Sequence, residues 1–217
     1  MERKLNEFFK EIDGKDRIIG KEKKLNYSVM VLFCKIEDEI NILFEKRAMN
    51  IAQGGEVSFP GGKIEKEDKN CIETALRETF EEVGIKKERI TEVVHYGKLL
   101  IPTGQLIDVQ FGVVENFCYE ELKLNPDEVE KIFLVPLKFF LETEPRIEKV
   151  MVENRPKYLK GNEEKNFPVE ELGIPHRYEK PWGREREIYF YNYAGEVIWG
   201  ITGEIIYSVA KDMKKNV

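Results

Sequence analysis

The feature that most constrains this chain lies between Gly61 and Ile85, where a glycine-bearing loop runs into one amphipathic segment, GGKIEKEDKNCIETALRETFEEVGI. With about 100° of rotation per residue, Ile72, Ala75, Leu76, Thr79, Phe80 and Val83 fall at i, i+3, i+4, i+7, i+8 and i+11. That mostly apolar stripe predicts a helix over residues 69–83 with one face on a core, stopped by Gly84. Glu78, Glu81 and Glu82 then share an arc of about 100° on the other side, near the helix's C-terminal end. Charges in such an arc usually form a solvated face, with Glu73–Arg77 and Arg77–Glu81 as i, i+4 pairs. Two costs argue for more here: Glu78 and Glu82 repel at i, i+4, and the helix macrodipole disfavours negative charge near a C-terminus. A divalent cation reverses both, because clustered carboxylate oxygens are the ligands that Mg²⁺ and Mn²⁺ prefer.

The rest of the composition narrows the partners. A length of 217 residues with 41% hydrophobic content suffices for one core, and no repeat or long linker divides it. The net charge of −6, from 41 Asp+Glu against 35 Lys+Arg, excludes a generally basic nucleic-acid footprint. An acidic chain that binds a phosphate compound needs a local device: a metal ion, a few placed arginines or backbone N–H groups. No apolar run approaches about 18 residues, so no membrane span is expected. The start MERKLNEFFKEIDGK carries no export signal and the end Lys215-Asn216-Val217 no peroxisomal-type tripeptide, so the cytoplasm is the expected location. Cys34, Cys71 and Cys118 are expected to be buried or half-buried thiols, and neither they nor His95 and His176 suggest a disulfide framework or a zinc site.

Along the chain, Leu5, Phe8, Phe9 and Ile12 predict a short amphipathic helix ended by Gly14, within a lead-in over residues 1–25. A single domain over residues 26–213 follows. Residues 27–36 and 41–48 read as a hairpin, and strand character returns in residues 90–101, 107–117 and 186–200. Helical patterns lie around residues 136–141 and at 202–213. Strands and hairpins mixed with helices predict an α/β fold with a mixed sheet and helices on its faces. Residues 144–186, rich in proline, charge and aromatics, read as an insertion that caps the substrate. Trp199, at the end of an apolar run, is expected in the core.

The order Arg77-Glu78-Thr79-Phe80-Glu81-Glu82-Val83-Gly84-Ile85, after Pro60-Gly61-Gly62, resembles the Nudix box, G-x5-E-x7-R-E-U-x-E-E-x-G-U with U bulky and aliphatic. The resemblance implies the Nudix α/β/α sandwich, with a mixed β-sheet and a loop-helix-loop box, and hydrolysis of a nucleoside diphosphate linked to a further group. By position it makes Glu78, Glu81 and Glu82 the metal-binding carboxylates for Mg²⁺ or Mn²⁺, and Arg77 the arginine that orients them. Two departures stand out. Gly62 lies one residue further from Arg77 than the pattern's glycine, which makes Asp68 the stand-in for the first glutamate, and Thr79 takes the aliphatic position.

The flank is similar to the coenzyme A pyrophosphatase branch, whose signature has an L-L-T-x-R-S-like start and then G-x3-F-P-G-G. Residues 43–48, LFEKRA, match the first part loosely, and residues 55–62, GEVSFPGG, match the second closely. The resemblance implies a metal-dependent split of the coenzyme A pyrophosphate into 3′,5′-ADP and 4′-phosphopantetheine. Arg47 is then a candidate for the nucleotide's phosphates, Ser58 and Phe59 for substrate contact, and the Gly61 and Gly62 amides for facing phosphate oxygens. Glu81 and Glu128 are alternative general bases, and residues 126–128 also make a good turn without catalysis. An ADP-ribose, dinucleotide or (d)NTP substrate stays open, as does a non-catalytic nucleotide sensor. The partner is a small nucleotide, with no nucleic acid or membrane, and a homodimer is compatible with the sequence.

Overall fold

A computed structural model describes Lys4, Glu7, Phe9, Lys10, residues 18–20 and residues 24–215. The helix expected from Leu5, Phe8 and Ile12 lies outside the described residues; Phe9 alone of that set is described, as helical and exposed. The expected hairpin is β1 (Leu25–Ile36) with β2 (Glu39–Arg47). Two short strands, β3 (Val57–Ser58) and β4 (Gly61–Lys63), lead into α1 (Cys71–Val83). Then come β5 (Ile90–Leu100), β6 (Gln105–Val114), β7 (Val129–Pro136) and α2 (Leu137–Glu142). The sheet runs β3-β2-β1-β6-β5, with β4 also on β1 and β7 on β2. β1 and β6 are parallel, from Leu25 opposite Gln105 to Cys34 opposite Val114, and their other partners are antiparallel. The sheet is therefore mixed.

Alternation along β1 divides two cores. Met30, Leu32 and Cys34 face α1, with Leu43, Ala75 and Val83. Val31 faces the other side, where Phe44 and Phe140 meet Ile205 and Ile206 of α3 (Gly200–Lys215). Phe44 sits among Phe59, Phe133 and Phe140 at ring separations of 5.0, 5.6 and 5.8 Å. Truncating so enclosed a ring to alanine costs about 3–5 kcal/mol.

The 144–186 stretch read as a capping insertion contains β8 (Arg146–Asn154), which pairs with β11 (Trp182–Tyr193), and a hairpin of β9 (Lys157–Lys160) with β10 (Glu163–Asn166). β11 returns through β12 (Glu196–Trp199) to α3, whose first residue is Gly200 rather than Thr202. Trp199 does not enter the core: it is 40% exposed and stacks on Phe190 at 5.8 Å.

Candidate active site

α1 is placed by its ends. Asn70 caps it, its Oδ1 accepting from the Glu73 amide at 3.0 Å, and Gly84 closes it at φ 77° with its N–H on the Phe80 carbonyl. Measured around the helix from buried Ala75, Glu82 lies about 20° away, Glu78 about 60° and Glu81 about 120°. The exposures follow that order: Glu82 is 3% exposed, the Glu78 side chain 13% and the Glu81 side chain 48%. The same rotation corrects one expectation. Phe80 lies about 140° from Ala75 and is half exposed, so the core stripe is Ala75, Thr79 and Val83. Thr79 is tolerated there because its hydroxyl donates to the Ala75 carbonyl at 2.6 Å.

The loop before α1 is tied to it. Asp68 accepts from the Glu65 amide, from the Thr74 hydroxyl and from Arg77, and its carboxyl is held below the usual range chiefly by the Arg77 guanidinium. Arg77 also donates from Nη1 to Glu78 at 2.8 Å and to Glu81 at 2.9 Å. Its contacts join the loop to the helix carboxylates, the geometry of an orienting residue. Gly61 donates its amide to Glu82 Oε2 at 2.8 Å, so this N–H orients a carboxylate instead of facing phosphate. A Cβ on Gly61 would stand 2.4 Å from the Ser28 carbonyl oxygen, and one on Gly62 only 2.3 Å from Glu78 Oε1. Loop and helix therefore approach as closely as glycine allows.

These elements form one side of an open cleft of about 790 Å³. Of the residues singled out from the sequence, the structure brings Arg47, Ser58, Phe59, Gly61, Gly62, Glu78, Glu82 and Glu128 into its lining. Glu81 is not among them; it points away, paired with Arg77. Arg47 Nε donates to the Ala52 carbonyl at 3.2 Å, and the Glu128 carbonyl accepts from the Ala48 amide at 2.8 Å, fixing both to the loop after β2. Trp199 and Arg186 close the far side, and Arg186 is the single residue of the 144–186 stretch in the lining.

One buried carboxylate beside the site was missed in the sequence. Glu45, on β2, is fully buried and pairs across the ladder with Ser58, whose hydroxyl donates to its Oε1 at 2.8 Å; Oε2 has no hydrogen-bond partner. Alternation puts it on the α1 side with Leu43, beneath Glu82. Burial pushes the Glu82 carboxyl far up, and the negative charge of Glu45 pushes it further. Burial likewise raises Glu45, with Glu128 and Glu78 adding to the effect. Glu45 falls on the T of the L-L-T-x-R-S-like start, and a charge at an inward strand position is the signal that could have found it.

Four carboxylates thus converge, Glu45, Glu78, Glu82 and Glu128, the first and third buried, with an orphaned oxygen on Glu45 and with Arg47 and Arg77 offsetting part of their charge. That donor set is hard, anionic and oxygen-only, and it fits Mg²⁺ or Mn²⁺.

The chain belongs to the Nudix family: the NUDIX domain matches residues 24–154. Among relatives, an uncharacterized Nudix hydrolase NudL of Photorhabdus laumondii is 28% identical over 186 residues, 86% of this chain and 83% of that protein. Peroxisomal coenzyme A diphosphatase NUDT7 of Mus musculus is 31% identical over 130 residues, 59% of this chain and 54% of its own. Mitochondrial coenzyme A diphosphatase NUDT8 of Homo sapiens is 32% identical over 124 residues, 54% and 50%. The chain thus spans about half the length of both diphosphatases. A C. elegans Ap4A hydrolase structure is 17% identical, with a TM-score of 0.42 over 52% of this chain and 80% of that one. Among the described residues no helix is long and apolar enough to cross a membrane.

Proposed function

We propose that this Nudix hydrolase cleaves the pyrophosphate of coenzyme A or its thioesters, releasing 3′,5′-ADP and (acyl-)4′-phosphopantetheine. The observation that carries the reading is the contact between the 55–62 segment and the box. Ser58, Phe59, Gly61 and Gly62 of GEVSFPGG line the same cleft as Glu78 and Glu82, and Gly61 holds Glu82 directly. The residues that resemble the coenzyme A branch are thus the ones against the carboxylates. The likeness to NUDT7 and NUDT8 supports the same substrate class.

Glu78 and Glu82 would hold Mg²⁺ or Mn²⁺. When bound, the ion supplies neutralisation of diphosphate oxygens and a water of lowered pKa. The chain's own residues do the rest. Arg47 offers a guanidinium to the phosphates. Glu128, inside the cleft where Glu81 is not, takes the proton of the attacking water. Arg186 and Trp199 bound the opposite side.

The test is a panel of coenzyme A, acetyl-CoA, ADP-ribose, NADH and dNTPs with Mg²⁺ or Mn²⁺, products read by mass spectrometry. The proposal expects 3′,5′-ADP from coenzyme A. Turnover of another member without it would overturn the substrate, and no turnover of any member would overturn the enzyme.

A further inference from the structure

A second polar cluster lies on the α1 side of the sheet, outside the cleft. Asp108 of β6 is 1% exposed and its Oδ2 has no hydrogen-bond partner; Gln110, two residues on, is fully buried with Oε1 equally unpartnered. The thiol of Cys71, the first residue of α1, lies against both side chains. Ser28 fixes that helix end, its hydroxyl donating to the Cys71 carbonyl at 2.6 Å. From β5, His95 Nε2 stands 3.0 Å from Asp108 Oδ1, and Lys98 pairs with the same oxygen.

Residues three apart on a regular strand point to opposite faces, so His95 and Lys98 should not both reach Asp108. A register shift between His95 and Gly97 turns them to one side. Bulges of this kind re-aim side chains and are concentrated beside functional sites.

We propose that Cys71, His95 and Asp108 form a metal site of the zinc class, distinct from the catalytic carboxylates, that ties the first turn of α1 to β5 and β6. Their donor atoms lie within 4.8 Å of one another. Sulfur, imidazole nitrogen and one carboxylate oxygen suit Zn²⁺ and Co²⁺, whereas Mg²⁺ takes oxygen donors. Three protein ligands leave a position for water, with Gln110 Oε1 as its acceptor. Lys98 stands in for the cation: it neutralises Asp108, is 36% exposed, and leaves into solvent when a metal replaces it. Burial and the Asp108 charge keep the free thiol protonated, so binding releases its proton. The site was not visible in the sequence, where neither cysteine nor histidine spacing suggested it.

The full chain, freed of metal and then saturated with Mg²⁺ to fill the carboxylate centre, is titrated with Co²⁺. One equivalent should give thiolate-to-cobalt charge-transfer absorption that Zn²⁺ removes. Cys71→Ser should abolish the band, while Cys118→Ser and Glu82→Gln keep it. His95→Ala, at an exposed position that does not threaten folding, should weaken Co²⁺ by more than about tenfold, and Lys98→Met should tighten it. Zn²⁺ should raise the thermal midpoint in saturating Mg²⁺, and fail to in His95→Ala. No charge-transfer band, a band that survives Cys71→Ser, or unchanged affinity in His95→Ala would each overturn the site.

Discussion

Arg77 grips both oxygens of Asp68, Nε on Oδ1 at 3.1 Å and Nη2 on Oδ2 at 3.0 Å, while its Nη1 reaches Glu78 and Glu81. One guanidinium thus joins the loop to the helix and orients two carboxylates. Lysine has the charge without the planar fork. Arg77→Lys should lower kcat about a hundredfold through misplaced carboxylates, with KM little changed. The Asp68 carboxyl is depressed, so its support for the fold is present above the ordinary value of 3.8 and lost as pH falls. Asp68→Asn should remove that acid dependence in thermal melts; an unaltered acid limb would refute the assignment.

Glu82→Gln should lose at least about a hundredfold in activity while its circular dichroism and melting remain native. Glu128→Gln should lower kcat comparably, whereas Glu81→Gln, on an exposed side chain outside the cleft, should cost much less. Steady-state rates of the three variants check the order. A Glu81 loss exceeding that of Glu128 would return the base to the helix.

Glu45 and Glu82 bear on stability through pH. Burial raises both carboxyls when no metal is present, and the charge of Glu45 raises Glu82 further. A raised acid stabilises the fold fully below its unfolded value and loses that contribution as pH climbs toward the folded one. In chelator, the thermal midpoint should therefore fall as pH rises from 4.5 towards about 9, and Mn²⁺ should restore it. Glu45→Gln removes the repulsion and keeps the shape, so its metal-free form should melt higher than the parent at alkaline pH. Calorimetry in chelator decides, and an equal or lower midpoint would count against the carboxylate pair.

Much of this site was legible because helices write their geometry into spacing. The 100° step groups Glu78, Glu81 and Glu82 in the sequence, and the one-residue excess in the loop points to Asp68. Phe80 misled because a stripe drawn through i+4 and i+8 is wider than the surface that α1 buries. Glu45 was hidden for another reason: a lone charge in a strand normally faces water, and only the pairing with Ser58 and the helix above it bury this one. Cys71, His95 and Asp108 come together through α1 and a bulged β5, which no local spacing records. β8 escaped because its residues are almost all exposed, leaving no alternation to read.

Gly62→Ala tests the packing of loop on helix. Its new Cβ would collide with the Glu78 carboxylate, which has to turn away from the cleft. Turnover should fall about a hundredfold with only a small loss in melting temperature. Native activity would show that Glu78 does not need its present orientation.

The parallel pairing of Leu25–Cys34 with Gln105–Val114 has a kinetic consequence. β2, the glycine loop and α1, which carry Glu45, Glu78 and Glu82, lie inside the chain loop that this pairing closes, whereas Glu128 follows it. Non-local closure costs entropy before any contact offsets it, so folding is slow relative to a helical domain of similar size. The sheet on which α1 and its glutamates rest is complete only when the two central strands pair. The carboxylate centre is therefore expected to form in one late, cooperative step rather than by gradual assembly.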